Sequence, residues 1–260
     1  MKVKPKKALG QHFLVNRQAA MDIARALKFH TGYDRVLEIG PGTGALTTCL
    51  IEAHPDADLK VMEIDPESVI YLVSQNILKQ EQVLPEDFLK ADLEHHLGTH
   101  FGVIGNFPYN ISTQILFRVF DYRDQIPEVV GMFQKEVAER VASPHGSKAY
   151  GILSVLLQLF YDIEYLFTVE PEDFDPPPKV RSGVIRMIRN DVKELECSTK
   201  RLVQVVKVAF NQRRKMLRGS LKSLLQNGMT LPEEFATKRP EQLSPQDFVK
   251  LTLAVFPEDQ

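Results

Sequence analysis

A short apolar strand that continues into a glycine-rich turn and a helix constrains this chain more than any other feature. Residues 36–40 are apolar except for Glu38, and residues 38–44 have the sequence EIGPGTG. Glycine lets a backbone turn sharply and approach a ligand closely. Because residues 44–53 have the pattern of the following helix, this segment predicts the nucleotide-binding half of a parallel sheet.

The alternation of strand and helix patterns continues along the chain. We predict further strands at 59–65, 88–92, 101–105 and 129–134, and helices at 17–27, 66–78, 112–120, 135–141 and 152–160. Residues 163–169 and 180–188 are apolar and β-branched, which suits an antiparallel pair that closes the sheet. The expected fold is α/β, with a Rossmann-like sheet and helices on both of its faces.

Helical spacing replaces the strand patterns after residues 190–198. Apolar residues recur at i, i+3, i+4, i+7 and i+8, namely Leu202, Val205, Val206, Ala209 and Phe210. Ser244 precedes Pro245, as at the N-terminus of a helix. We therefore expect a Rossmann-like domain at 1–190 and a small all-helical domain at 191–260.

Composition favours a protein that works in the cytoplasm without a membrane partner. No apolar run is long enough to cross a bilayer, and the lysine-rich N-terminus lacks the apolar core of a signal peptide. Cys49 and Cys197 are the only cysteines and are far apart, and His95, His96 and His100 fit a solvated stretch. We therefore expect neither a metal site nor a disulfide framework.

Basic residues are concentrated in two stretches. Residues 1–21 contain five basic residues and residues 197–232 contain eight, and neither stretch contains an acid. Since the net charge is −2, the rest of the chain is acidic. Local positive fields bind phosphates, so the near-neutral total permits a polyanionic partner.

Two acids follow the glycine turn. Glu63 lies 23 residues after Gly40, where an acid accepts hydrogen bonds from both ribose hydroxyls of an adenosine. Asp92 ends the predicted strand at 88–92, where it can accept from an adenine amine. A dinucleotide is possible, but the turn is G-x-G-x-G rather than G-x-G-x-x-G. The set of motifs predicts an S-adenosylmethionine pocket at the carboxyl edge of the sheet.

The apolar run 103–105 stops at Asn106, which is followed by Phe107, Pro108 and Tyr109. A carboxamide oxygen accepts a hydrogen bond from an exocyclic amine, and a tyrosine ring offers a face on which a base stacks. These are the parts needed to hold an extruded adenine by its amino group.

With these motifs the chain resembles the ribosomal RNA adenine N6,N6-dimethyltransferase family over nearly its whole length, and within it the bacterial small-subunit branch. The matching segments are 7–14, 38–44, 63–65, 106–112, 134–136, 150–155, 174–180 and 210–218. The last two are the most specific to the family. The resemblance implies a class I methyltransferase that uses S-adenosylmethionine and dimethylates two adjacent adenosines in the 3′-terminal loop of 16S rRNA during late subunit assembly.

The resemblance also implies roles for single residues. The donor would be held by His12, Leu14, Gly40, Gly42, Glu63, Asp92 and Asn106. The catalytic group would be Asn106, the Phe107 carbonyl, and the rings of Tyr109 and Phe174, which would sandwich the target base. Family members most often have leucine or isoleucine in place of Phe107, which leaves the width of the pocket open.

Candidates for RNA phosphate contacts are the lysines of residues 2–7 and a basic helix at 213–218, namely Lys4, Lys6, Lys7, Arg213, Arg214, Lys215 and Arg218. The resemblance implies a monomer. Three alternatives remain open: a large-subunit dimethylase of the antibiotic-resistance type, a non-catalytic assembly factor and a small-molecule methyltransferase. The acid-free basic stretches disfavour the last.

Overall fold

The computed structural model of the protein describes residues 3–225 and 229–257. Its strands are β1 (Phe13–Leu14), β2 (Arg35–Ile39), β3 (Asp58–Met62), β4 (Val83–Leu84), β5 (Gly102–Asn106), β6 (Glu128–Gln134), β7 (Tyr161–Val169), β8 (Phe174–Asp175) and β9 (Ser182–Arg189). Its α-helices are α1 (Arg17–Arg25), α2 (Ala45–Ala53), α3 (Pro66–Ser74), α4 (Leu93–Leu97), α5 (Ser112–Asp121), α6 (Lys135–Ala142), α7 (Ile152–Gln158), α8 (Thr199–Asn211), α9 (Leu217–Ser220), α10 (Glu233–Ala236) and α11 (Pro245–Val255).

The main sheet has the strand order β4-β3-β2-β5-β6-β9-β7. The five neighbouring strands β4, β3, β2, β5 and β6 run parallel to one another, and β9 runs antiparallel to β6. Val36, Leu37 and Ile39 of β2 are all buried, so both faces of the central strand are covered. These observations confirm the predicted Rossmann-like α/β sheet, and the two strands expected to close it are the neighbours β7 and β9.

The strand predicted at 88–92 is wrong. The edge strand is β4, in which Val83 pairs with Val61 of β3. Residues 88–90 form a turn. Phe88 is nevertheless buried, so the apolar residues of this turn imitate the sequence pattern of a strand without its backbone pairing.

The chain divides into two compact units. The first contains the residues up to 138 together with 162–189, and the second contains 139–161 together with the residues from 190 onward. The boundary at residue 190 predicted from the sequence puts 139–161 in the first domain. These residues include α7, which packs against α8 and α11 and is therefore grouped with the helices. The limits of functional domains stay a prediction.

The helical unit has the core that the sequence predicts on α8. Leu202, Val205, Val206 and Ala209 are buried. Ser244 caps α11, because its hydroxyl oxygen accepts a hydrogen bond from the Asp247 amide at 3.1 Å.

The continuous basic helix predicted at 213–218 is not formed. Residues 212–214 are a turn, and α9 begins only at Leu217. Like charges at i and i+4 repel each other on a helix, and Arg214 and Arg218 would stand at that spacing without an acidic partner in sequence.

Within residues 3–225 and 229–257, no helix has the length and apolar character needed to span a membrane. Among the same described residues, no group of three or more histidine, cysteine, aspartate or glutamate side chains is placed to hold a metal ion.

Candidate active site

A cavity of about 280 Å³ lies in the first unit, at the carboxyl ends of β2, β3 and β5. Its lining comes from the turn after β2, the end of β3, residues 86–89, residues 106–111 after β5, and residues 8–14. The carboxyl edge of a parallel sheet is where open α/β folds bind ligands. The cavity therefore lies where the sequence predicts the pocket.

The predicted glycines shape one wall of the cavity. Gly40 and Gly42 have left-handed backbone angles, with φ of 66° and 55°. A Cβ atom on Gly42 would lie 2.8 Å from the ring of Phe13. Both the backbone angle and this close approach therefore require glycine at position 42.

Glu63 joins the end of β3 to the glycine turn. Its Oε2 accepts a hydrogen bond from the Gly42 amide at 3.1 Å, and its Oε1 accepts one from the Asp65 amide at 2.8 Å. Burial raises the pKa of the Glu63 carboxyl. The predicted ribose acid thus lines the cavity and is held rigidly by two backbone amides.

Glu38 is a cavity residue that the sequence argument did not assign. It is 1% exposed, and its Oε2 has no hydrogen-bond partner among the described residues. Burial raises its pKa to about 8. The sequence does indicate this residue, because Glu38 is the only charged residue between the apolar Val36 and Ile39. A buried carboxyl of this kind needs a polar or cationic partner.

The structure corrects the assignment of the adenine acid. Asp92 is exposed, caps α4 by accepting from the His95 amide at 3.1 Å, and is not among the cavity residues. Asp87 lines the cavity instead. Because the parallel strand ends at Leu84 rather than near residue 92, the carboxylates that follow its carboxyl end at the cavity are those of Glu86 and Asp87. Glu86 lies 2.9 Å from the ring of His96, which leaves Asp87 as the candidate for the adenine amine.

Ile64 is a second cavity residue that the sequence argument missed. It follows Glu63, lines the cavity and is 54% exposed, which is unusual for so large an apolar side chain. An exposed apolar face inside a concave site is suited to cover a flat, apolar ligand surface. The sequence signal was an isoleucine placed between Glu63 and Asp65.

Asn106 is the last residue of β5 and lines the cavity as predicted. Its Nδ2 donates a hydrogen bond to the main-chain carbonyl of His12 at 2.9 Å. This bond uses the donor side of the carboxamide, so the side-chain oxygen is the atom that can serve an incoming amine.

Phe107 keeps its ring out of the pocket. The residue is 1% exposed, its ring lies 5.0 Å from that of Phe133, and a Cβ atom on Gly131 would meet the ring at 2.4 Å. The missing side chains of Gly105 and Gly131 make room for this ring within the core. The larger ring that stands in place of leucine or isoleucine is therefore accommodated within the core, while Phe107 remains one of the residues that line the cavity.

Tyr109 and His12 lie side by side at the cavity. Their ring centroids are 5.5 Å apart, and the planes are inclined by 30°. The Tyr109 hydroxyl is hydrogen-bonded to the Ser182 hydroxyl, and burial raises the pKa of Tyr109. His12 Nδ1 donates to the carbonyl oxygen of Pro176 at 2.8 Å, so His12 makes contacts through both its ring and its backbone.

Phe174 does not take the predicted place beside the base site. It is 3% exposed, belongs to the hydrophobic core and is not among the cavity residues. In the two-stranded sheet of β1 and β8 it pairs with Leu14, which is also buried. Directly paired residues point to the same face of a sheet, so the pairing places both side chains in the core. Leu14 nevertheless lines the cavity, as predicted.

The basic candidates differ in their surroundings. Lys6 forms an ion pair with Asp65, and Arg213 lies 3.8 Å from Glu241 and donates to the Ser147 carbonyl. The other described candidates are exposed, namely Lys4, Lys7, Arg214, Lys215 and Arg218. Lys2 lies outside the described residues.

A parallel sheet with a reversed strand beside β6, and with a nucleoside-sized cavity at its carboxyl edge, is the architecture of the class I S-adenosylmethionine-dependent methyltransferases. The residues of the cavity fit this donor. The buried carboxyl of Glu38 has an unsatisfied oxygen, Glu63 suits ribose hydroxyls, and Ile64 offers an apolar face.

Comparisons with known proteins agree with this class. Residues 2–254 match the family model for ribosomal RNA adenine dimethylase. The chain is 55% identical to ribosomal RNA small subunit methyltransferase A of Cytophaga hutchinsonii, over 96% of this chain and 97% of that protein. It is 57% identical to the protein of the same name from Parabacteroides distasonis, over 96% and 94% of the two chains. The chain therefore belongs to the ribosomal RNA adenine dimethylase family, and its methyl donor is S-adenosylmethionine.

Two solved structures share the fold. A dimethyladenosine transferase from Plasmodium falciparum superposes with a TM-score of 0.75 at 23% identity, covering 95% of this chain and 98% of that one. The 23S rRNA methyltransferase ErmE superposes with a TM-score of 0.70 at 22% identity, covering 94% and 99%.

Proposed function

We propose that this enzyme transfers methyl groups to N6 of two adjacent adenosines in the 3′-terminal hairpin loop of 16S rRNA, within the small subunit or its late precursor. The observation that carries this proposal is the position of Asn106 at the cavity, with its carboxamide held by His12 and the ring of Tyr109 close by. The small-subunit substrate is supported by the names of the relatives at 55% and 57% identity.

Asn106 and Phe107 would prepare the target amine for attack. The N6 lone pair of adenine is delocalised into the ring, which makes the amine a poor nucleophile. Hydrogen bonds from its two protons to the Asn106 oxygen and the Phe107 carbonyl would favour a pyramidal nitrogen. Orientation of this kind contributes up to ~7–11 kcal/mol in favourable cases. Asn106 is neutral, so we assign it a positioning bond to the base and leave the released proton to water.

The donor would be held by cavity residues from three strand ends. S-adenosylmethionine supplies an activated methyl group on a sulfonium. Glu63 would accept from the ribose, Asp87 from the adenine amine, and Ile64 would cover the adenine face. Gly40 and Gly42 let the backbone approach the methionine portion, and the carboxyl of Glu38 lies on this side of the cavity as a partner for a cationic group.

Tyr109 would supply the stacking face for the extruded base. Base–aromatic stacking contributes about 1–3 kcal/mol per base, comparable with the few kcal/mol that extrusion costs. The Tyr109 hydroxyl bond to Ser182 fixes the ring before the base arrives. Since Phe174 lies in the core, we assign the stacking to Tyr109 without it.

RNA phosphates would be bound by the exposed basic residues Lys4, Lys7, Arg214, Lys215 and Arg218. Binding of the particle should therefore weaken steeply with salt. We further propose that the enzyme acts as a monomer in the cytoplasm, where its ribosomal substrate is assembled.

A large-subunit dimethylase is the nearest alternative, because ErmE has the same fold. That likeness is at 22% identity and concerns the fold only. A purely structural assembly factor would not need the cavity with Glu63 and Asn106, which are in place here.

The deciding experiment incubates unmodified small and large subunits with the enzyme and isotopically labelled donor. Mass spectrometry of the nucleosides should detect N6,N6-dimethyladenosine from the small subunit alone, and a primer-extension stop map should place it in the 3′-terminal loop. Stops confined to large-subunit rRNA would assign the enzyme to the other branch, and the absence of any methylated adenosine would refute the proposed reaction.

A further inference from the structure

Lys6 has an environment that differs from that of a surface lysine. Its Nζ lies 2.6 Å from Asp65 Oδ1 and 3.1 Å from Glu67 Oε1. The Asp65 side chain is fully buried, whereas that of Lys6 is 36% exposed. Asp65 also caps α3, because Oδ1 accepts from the Glu67 amide at 3.1 Å. Lys6 is therefore ion-paired with the residue that caps α3, the helix that begins three residues after Glu63.

The residues after Lys6 form one wall of the donor cavity. We call residues 8–14, all of which line the cavity, the N-terminal strap. Lys6 is joined to it through Gln11, whose Oε1 accepts from the Lys6 amide at 2.9 Å and whose Nε2 donates to Asp65 at 3.4 Å. Farther along, the carbonyl of His12 accepts from Asn106 at 2.9 Å.

We propose that Lys6 is a positioning residue that anchors the N-terminal strap to Asp65, so that the strap encloses the methyl donor and holds the carboxamide of Asn106 in its working orientation. This inference depends on the proposed donor site. It assigns Lys6 to the donor side of the reaction, and so replaces its predicted role as an RNA phosphate contact.

The electrostatics of the site support an anchor. Burial of Asp65 opposes its ionisation, but the hydrogen bonds from Lys6 and from the Glu67 amide outweigh burial, and the pKa of Asp65 is lowered. Burial raises the pKa of the neighbouring Glu63, the hydrogen bond from the Asp65 amide lowers it, and the negative charge of the Asp65 carboxylate raises it by a smaller amount. A cation on Asp65 therefore reduces the negative potential around the acid that would receive the ribose.

A role for Lys6 as an anchor of the strap and a role as an RNA phosphate contact predict opposite effects of Lys6→Met on donor affinity and on the salt dependence of subunit binding. An anchor variant binds donor more weakly, while its binding to the subunit keeps the same salt dependence. A phosphate-contact variant keeps its donor affinity and loses about one unit of the salt slope. Lys4→Met and Lys7→Met are matched controls, since both lysines are exposed and lie within three residues of Lys6.

The test measures the affinity of the purified enzyme for S-adenosylhomocysteine by titration calorimetry, with binding to unmodified small subunits measured at several salt concentrations. We expect Lys6→Met to weaken S-adenosylhomocysteine binding roughly three- to tenfold, as for loss of a charged hydrogen bond that is partly solvated. The two control variants should bind it like the wild type, and Lys6→Arg should restore most of the affinity. Hydrogen exchange of amides 8–14 should become faster in Lys6→Met.

Unchanged affinity for S-adenosylhomocysteine in Lys6→Met would overturn the inference, as would a Lys6→Arg variant that binds as weakly as Lys6→Met. Faster exchange throughout the first unit, rather than in the strap, would reduce Lys6 to a general contribution to folding and also overturn it. If the wild-type enzyme itself bound no S-adenosylhomocysteine, the proposed donor site would fail. If the wild-type enzyme binds S-adenosylhomocysteine and methylates normally, and Lys6→Met binds it equally well, only the proposed role of Lys6 as an anchor is refuted.

Discussion

The side-chain amide of Asn106 donates a hydrogen bond to the main-chain carbonyl of His12 at 2.9 Å, and so links the end of β5 to the N-terminal strap. The bond defines which end of the carboxamide faces a substrate amine. It also means that a change at residue 106 should affect the donor as well as the base.

Asn106→Ala should lower the turnover number on the order of a hundredfold, as when a single preorganised hydrogen-bonding group is removed from an active site. Affinity for S-adenosylhomocysteine should fall only a few-fold, because the strap loses one of its attachments. Single-turnover methylation and calorimetric titration separate the two effects. Turnover equal to that of the wild type would remove Asn106 from the chemistry.

Tyr109 should act through its ring. Tyr109→Phe removes the hydroxyl bond to Ser182 but keeps the stacking face, so kcat/KM should change little. Tyr109→Ala should lose about 1–3 kcal/mol of stacking. Comparing kcat/KM of the two variants on small subunits checks this, and equal losses would assign the role to the hydroxyl instead.

Phe174 should prove to be a core residue. Phe174→Ala should lower the free energy of unfolding by about 3–5 kcal/mol, since it leaves a cavity behind Leu14. Phe174→Leu keeps most of the apolar volume and should retain most of the methylation rate. Denaturant unfolding and initial rates test both variants. A stable Phe174→Leu enzyme without activity would restore the stacking role predicted from the sequence.

Asp87 and Asp92 form a matched pair of substitutions. Asp87→Ala should weaken binding of S-adenosylhomocysteine, because the lost carboxylate lines the cavity. Asp92→Ala should leave that affinity unchanged and cost about 0.5–2 kcal/mol of stability, since it removes the cap of α4. Calorimetry measures the affinity of both variants for S-adenosylhomocysteine, and thermal unfolding measures their stability. Weaker binding in Asp92→Ala together with unchanged binding in Asp87→Ala would contradict the assignment of Asp87 to the donor site.

Glu38 should make the stability of the ligand-free enzyme depend on pH. Burial raises its pKa from 4.5 to about 8, so the folded state holds a proton that the unfolded state releases. The stabilising contribution of Glu38 to the free energy of unfolding is therefore complete below pH 4.5 and is lost as the pH rises towards 8. Glu38→Gln should flatten the pH dependence of the free energy of unfolding over this range. An identical pH profile in the variant would show that Glu38 is not the group responsible.

Much of the fold follows from local patterns in the sequence. The β2 strand, its glycine turn and α2 are specified by neighbouring residues, because an apolar run and left-handed glycines leave few backbone alternatives. The positions of Glu63 and Asn106 at the cavity follow for the same reason, since each stands at the end of a strand and strand ends meet at one edge of a parallel sheet.

Tertiary structure decided what depends on distant partners. Asp87 rather than Asp92 lines the cavity because β4 pairs with β3 five residues earlier than the apolar pattern indicated. Phe174 entered the core through its pairing with Leu14, which is 160 residues away in sequence. Lys6 lies beside Asp65 rather than in an isolated basic tail. Sequence patterns specify the direction and burial of a segment, whereas the partner of a side chain is fixed only when remote segments pack together.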